Sequence, residues 1–492
     1  MKKAPLLVAA LAAAAEIARA GAVYVDATAG AGGTGSPSAP FTTLSAGVAA
    51  ASERDVVYVR GGTGRTYAVA AAEDASVFGE EGVSLVGCDA EWTPISGYAQ
   101  TNDMPVVAIS PSYANDCHAA TGSVPDPFRV STNNVSVSGF KFTFGRVSFR
   151  QQNKGGSGLI CCHSMTNLTV EACAFVMTDA TGTYSGAGTA GVINSEIVGN
   201  VTSVRGLNLR NCYFRLGKYR CSIGAFSPVG GVVNVTGCHF ENLDTLCIGT
   251  GGNHNGATLN FTSNVVLNCA NESDGYRQDF LYGGYNFYPT NAEIAYNRFI
   301  HDDGSTLYYS VMSHGGSYGG SFTGDVRIHH NTVRGYDRFL VSRRRSRDPS
   351  DLWTPKIFDN LLLLADGGTV VYEQGTELWY GDATCSYNDG SLFSHNGYYV
   401  GSGAFNATES EIVGYALTLS PTNCTALDGT GCATVVSWFV NTTDPSSPGY
   451  YRPGGAAADW MRRGYAGENG EYPAYLGALN PCARSGLALI VR

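Results

Sequence analysis

The sequence predicts an all-β protein whose strands stack in parallel as a solenoid, and three observations predict it. A nine-residue phrase occurs eight times: NVSVSGFKF from Asn134, NLTVEACAF from Asn167, GLNLRNCYF from Gly206, VVNVTGCHF from Val232, TLNFTSNVV from Thr258, NAEIAYNRF from Asn291, DVRIHHNTV from Asp325 and TPKIFDNLL from Thr354. Its second and fourth residues are mostly Val, Leu, Ile or Phe, the period-two signature of a half-buried strand. No helical period separates the phrases, whose starts lie 26 to 39 residues apart, the extra length falling between them. One strand-turn-strand unit per repeat, with connections of variable length, is the mark of a parallel β-solenoid.

The chain opens on a segment that reads as an export signal. Lys2 and Lys3 precede the apolar stretch 4–15, and Ala18-Arg19-Ala20 supplies an A-x-A cleavage site. The apolar stretch is too short to span a bilayer, and no later one reaches eighteen residues, so no transmembrane segment is expected. The expected location is secreted, with a signal peptide at 1–20. The expected division of the rest is a strand, loop and capping helix over 21–75, solenoid coils over 76–405, and an irregular capping segment over 406–492.

Composition narrows the function. The 492 residues carry 63 Gly and a formal charge of −10, and only 15% are charged. An acidic pI near 5.4 argues against nucleic acid as a partner, because phosphate binding needs a basic surface. Nine Asn-x-Ser/Thr sequons, at Asn134, Asn167, Asn200, Asn234, Asn260, Asn271, Asn406, Asn423 and Asn441, are glycosylation acceptors if the chain passes through a eukaryotic secretory pathway. Fourteen Cys suit an oxidising compartment. Cys424 and Cys432 suit a local disulfide, and no Cys/His group has zinc spacing.

The seventh position of the phrase runs Phe140, Cys173, Cys212, Cys238, Asn264, Asn297, Asn331, Asn360. Coils stacked at about 4.8 Å bring equivalent residues into columns. The four Asn therefore predict a hydrogen-bonded ladder at a turn, and the three Cys continue it as small buried fillers, free thiols rather than disulfides. Cys221 and Cys247, each nine residues past a ladder cysteine, are expected to stack or pair.

Three stretches resemble the pectin-lyase-like family. Residues Val23–Tyr67 are similar to its opening, where a strand and a Gly-rich loop lead through P-F-x-T (Pro40, Phe41, Thr43) into a capping helix. The eight phrases look like its coils, and Trp438–Pro481 matches its closing segment in part. The resemblance implies a right-handed, single-stranded parallel β-helix. It does not carry over a catalytic residue. Asp302-Asp303 with Ser313-His314-Gly315 is only partly similar to the motifs of polygalacturonase-like hydrolases, and W-I-D-H and R-x-P-x-x-R are absent.

Candidate site residues follow from stacking. Six residues past the seventh position, three consecutive coils present Asp303, Asp337 and Asp366. Carboxylates one coil apart suit a Ca²⁺ site or an acid/base pair; Asp-Gly at 303–304 and 366–367 equally suits plain turns. The strands that follow, Leu307–Met312, Phe339–Arg344 and Thr369–Gln374, belong to the face on which the resemblance places glycan. Tyr308 and the nearby His314, Arg343, Arg344, Arg345, Arg347, Trp353 and Glu373, with Arg277 and Asp279 upstream, then line a groove. Guanidinium pairs with carboxylate or sulfate, and aromatic rings stack on sugar faces. As plain alternatives, the Arg run reads as an exposed loop, the aromatics as coil packing and His314 as surface. The function expected is binding of an anionic extracellular or cell-wall polysaccharide in adhesion or structure. The alternative is a polysaccharide lyase or glycoside hydrolase, with Asp303, Asp337, Glu373, His314 and Arg343 as catalytic candidates and Ca²⁺ as the only candidate cofactor. Oligomeric state is open.

Overall fold

A computed structural model describes residues 21–113 without interruption. Beyond them it describes 126–145, 159–163, 165–178, 189–195, 205–225, 231–249, 257–269, 279–283, 289–302, 310–314, 324–344 and 354–375, with strand pieces between 392 and 426. The expected signal peptide and most of the expected C-terminal cap lie outside the described residues.

The protein is a parallel β-helix with three strand faces. The first is a sheet of 13 strands running from Ala22–Val25 through Val56–Arg60, Thr166–Glu171 and Asp325–His329 to Pro421–Thr422. The second and third share a 21-stranded sheet, joined where Tyr213–Ala225 and His239–Gly249 bend from one face onto the next. Strands pair with their equivalents one coil away, in parallel. The parallel stack already begins at Ala22, which pairs with Val56, and it reaches Thr425–Ala426. Both lie outside the 76–405 expected for the coils.

Each part of the repeat phrase has one structural task. Its second and fourth residues point inward on the first face, so Val137, Val170, Leu209, Val235, Phe261, Ile294, Ile328 and Ile357 form one buried line. Its ninth residue enters the core from the second face. There Phe142, Phe175, Phe214 and Phe240 stack at centroid distances of 5.0, 4.8 and 5.0 Å with rings within 12° of parallel. The sixth residue makes the corner. Gly139, Ala172, Asn211, Gly237, Ser263, Tyr296, His330 and Asp359 all have φ between 50° and 76°. A left-handed residue there turns the chain between faces at some steric cost to the non-glycine members.

The seventh residue holds the corner in register. Nδ2 of Asn264, Asn297, Asn331, Asn360 and Asn396 donates to a main-chain carbonyl of the preceding coil, at 2.9–3.0 Å. Each Oδ1 from Asn297 onward accepts both the main-chain N–H and the Nδ2 of the Asn one coil before. The ladder thus extends one coil past the eight phrases, to Asn396. Cys173, Cys212 and Cys238 are free and buried, as their place in the column predicts. Their thiols lie 3.6–3.7 Å from the equivalent carbonyls of Val137, Val170 and Leu209, and those of Cys173 and Cys212 lie nearer, at 3.2 Å, to the carbonyls of Glu171 and Arg210 in their own coils. Burial, followed by contact with Cys173 and Cys238, holds the Cys212 thiol well above its ordinary pKa.

The amino-terminal end is closed by the helix Leu44–Ala50. Thr43 caps it, accepting from Ala46 N–H, which satisfies one of the donors left open at a helix start. Leu44, Gly47 and Val48 face the first coil. A Cβ on Gly47 would stand 2.4 Å from a methyl of Val25, so glycine is what lets the helix seat. Beside it Arg60 and Arg65 both bind the buried carboxylate of Asp26, at 3.2 and 3.1 Å. Burial works against that charge, but hydrogen bonds from Thr28, Arg65 and Arg60 outweigh it and hold the carboxyl below the usual range.

Candidate functional site

Of the residues expected to line the groove, Asp279, His314, Arg343, Arg344 and Glu373 fall on strands of the third face. Its strands here are Asp279–Gly283, Ser310–His314, Arg338–Arg344 and Thr369–Gly375. The first halves of three of them are apolar and withdrawn from solvent: Val311 and Met312, Phe339 to Val341, and Val370 and Val371 are all buried. Neighbouring residues on a strand point to opposite sides, so this stretch is covered on both sides. The last residues of those three strands then turn polar, with Ser313 and His314, Ser342 to Arg344, and Glu373 and Gln374.

Register decides which of those polar positions meet. Gly283, His314, Ser342 and Glu373 form one line across four coils, continued by Thr408. Arg343 lies opposite Gln374 and Arg344 opposite Gly375. His314 and Glu373 are thus two coils apart with Ser342 between, or about 10 Å along the axis. Asp279 sits at the other end of its strand, opposite Ser310, with Arg338 and Thr369 beyond. Arg338 places its guanidinium 3.6 Å from the Tyr372 ring centroid, a cation–π contact.

Two members of the expected carboxylate column, Asp337 and Asp366, do not stand level as their spacing suggests. The main-chain carbonyl of Asp337 accepts from Thr369 N–H, and Gly368 N–H bonds back to Ala365. Asp366 and Gly367 are therefore the corners of a β-turn inserted between coils, and Asp366 is exposed. Asp337 lies level with Gly368, two residues beyond Asp366. Counting from the ladder failed because this turn is longer than the one before it. Asp303, Tyr308, Arg345, Arg347, Trp353 and Arg277 lie outside the described residues, as does the Cys424–Cys432 pair.

One further expectation changes. Cys247 pairs with Ser222 and Cys221 with Leu246, across register shifts in the bent strands, so the two cysteines are not level. Sequon asparagines are hydrogen-bonded across coils: Asn260 Nδ2 donates to Asn234 Oδ1 and Asn234 Nδ2 to Asn208 Oδ1, each at 2.8 Å, and Asn167 Nδ2 to Asn134 Oδ1 at 3.1 Å. Asn134 and Asn167 are exposed at left-handed corners.

Two groups of titratable side chains emerge that spacing did not single out. The first is a chain on neighbouring coils. Glu293 Oε1 lies 2.5 Å from His329 Nε2, His329 Nδ1 2.8 Å from His330 Nδ1, and His330 Nε2 3.7 Å from the buried carboxylate of Asp359. Column stacking holds the rings: Phe358 lies on His329 at 4.8 Å and Tyr296 on His330 at 5.1 Å. Only Glu293 reaches solvent. The Glu293–His329 and His329–His330 contacts are within hydrogen-bond distance, and that of His330 with Asp359 is an ion-pair distance. His329-His330 at positions five and six of a phrase was the visible signal; Glu293 comes from the phrase before. The second group is Asp126, Cys161 and His163, whose ligand-type atoms all lie within 4.8 Å of one another. Its members do not have zinc spacing in the sequence, and the fold brings them together.

Comparison with known proteins follows the chain path rather than the sequence. No protein-family model matches the chain, and no curated protein sequence matches it. Solved structures of similar path include XylC in complex with xylose, at 10% identity and TM-score 0.40, covering 80% of this chain and 86% of that one. Pectate lyase Pel9A is similar at 12% identity and TM-score 0.39, covering 93% and 96%. The GH136 lacto-N-biosidase from Eubacterium ramulus is similar at 10% identity and TM-score 0.41, covering 84% and 69%.

Proposed function

We propose that this protein is an exported parallel β-helix protein that binds an anionic extracellular polysaccharide along the polar ends of the third-face strands, in an adhesive or structural role. The observation that carries the reading is the register of those ends. It aligns His314, Ser342 and Glu373 on consecutive coils and sets Arg343 and Arg344 beside them. A regular array of polar positions, repeated at the coil spacing of about 4.8 Å, suits an extended polymer better than a compact ligand. Arginine at its edge suits carboxylate or sulfate groups.

The test is binding to a panel of polyuronides and sulfated glycans at two salt concentrations. The expected result is binding that weakens with salt and is lost in an Arg343→Ala/Arg344→Ala double variant. Absence of binding across the panel overturns the reading. The same alignment of His314 with Glu373 favours a second reading, cleavage of the bound chain. It predicts new reducing ends or unsaturated uronate products, abolished by Glu373→Gln.

A further inference from the structure

We propose that Asp126, Cys161 and His163 form a binding site for a divalent transition-metal ion, Zn²⁺ by preference. The site begins with strand alternation. Ile160–Cys162 is a third-face strand, and Ile160 and Cys162 join the hydrophobic core while Cys161 does not. Cys161 therefore faces the other side, and His163, two residues on, follows it there. The chain is held in place by His163 N–H, which donates to Val130 on the preceding coil at 2.7 Å.

That preceding coil supplies the third group. Asp126 lies just ahead of the strand Phe128–Val130, which pairs with Ile160–Cys162. Its carboxylate is 3.7 Å from His163 Nε2. With Cys161 Sγ the three donor atoms fall within 4.8 Å of one another. Tetrahedral zinc binds sulfur at about 2.3 Å, and nitrogen or oxygen at about 2.0–2.2 Å. Three donors within 4.8 Å of one another are close enough to share one ion.

Donor chemistry selects the metal. One thiolate, one imidazole and one carboxylate suit borderline-soft Zn²⁺, whereas Ca²⁺ takes oxygen ligands only. The group is sheltered: Cys161 is buried and the His163 and Asp126 side chains are 12% and 14% exposed. Three protein ligands leave one tetrahedral position for water or an incoming group. Binding requires Cys161 to lose its proton, so affinity rises with pH. Cys162 is not the ligand, since it points into the hydrophobic core.

Cobalt(II) reports this site directly, through a thiolate-to-metal charge-transfer band and the intensity of its tetrahedral d–d bands. Titration of the metal-free, reduced protein with Co²⁺ is expected to reach one ion per chain with both features, Zn²⁺ to abolish them, and excess Ca²⁺ to leave them in place. Cys161→Ser is expected to remove the charge-transfer band. His163→Gln and Asp126→Asn are each expected to weaken binding by roughly tenfold or more, the scale on which even outer-shell partners of a metal act. Cys162→Ala is expected to retain the band, and far-UV circular dichroism confirms that each variant is folded. Absence of one-to-one binding by the parent protein, or a band that survives Cys161→Ser, overturns the proposal.

Discussion

The cysteine half and the asparagine half of the corner column occupy the same place in successive coils and solve the same problem differently. Both place a donor group near the carbonyl one coil back, at 3.6–3.7 Å from sulfur and at 2.9–3.0 Å from the amide. Only the amide also has an acceptor for the N–H groups of the preceding corner. Cys238 stands at the border: its own N–H is received by Asn264 Oδ1 at 2.9 Å, while its thiol can return only a weak bond. The asparagine coils are thus tied in both axial directions by polar contacts. The cysteine coils rely more on packing, including the phenylalanine stack beside them.

That contrast predicts where the solenoid breaks. Asn331→Ala is the severest single change. It leaves the Ile294 carbonyl, the Asn297 N–H and the Asn297 amide without their partner, and at the cost of unmet buried groups it should lose about 4 kcal/mol. Equilibrium denaturation in urea measures this, and a loss as small as that of a surface substitution would mean the ladder is not what holds these coils.

Acid should separate the halves next. His239 follows Cys238 directly and is wedged edge-on between Tyr98 and Tyr213. Burial, only partly opposed by Glu241 and assisted by Arg298, lowers its pKa to about 4. The folded state thus favours neutral imidazole, and the unfolded chain takes up the proton first. Stability is fully present above about pH 6.5 and falls as pH drops toward 4, by up to about 3 kcal/mol. His239→Gln should flatten that part of the stability–pH profile.

The smallest effect belongs to the thiols. Cys212→Ala removes one sulfur and weak bonds, so about 1 kcal/mol is expected. The same burial that raises the Cys212 pKa keeps it unreactive. Alkylation of Cys173, Cys212 and Cys238 at pH 8 should follow unfolding, as mass spectrometry of pulse-labelled protein would show. Prompt labelling of the native chain would instead mark these corners as open.

The column was legible because a solenoid turns sequence recurrence into spatial adjacency: one position in each phrase becomes one line of contacts. Asn264, Asn297, Asn331 and Asn360 could be read as a ladder, and Cys173, Cys212 and Cys238 as thiols within it, before any fold was known. The candidate groove was legible as three strands, but not its register. Asp366 and Asp337 share a count from the ladder and still sit at different levels, because the turn at Ala365–Gly368 is longer than its neighbour.

What the sequence alone determined about this protein is the repeat, the buried alternation and the corner chemistry, all properties of one coil that the next coil copies. What only the tertiary structure decided is whatever joins unlike positions of different coils. Glu293 reaches diagonally to His329, and Asp126 leaves its own coil to meet Cys161 and His163. The physical reason is that like positions stack by periodicity, whereas unlike ones meet only where turn lengths and strand register carry the chain.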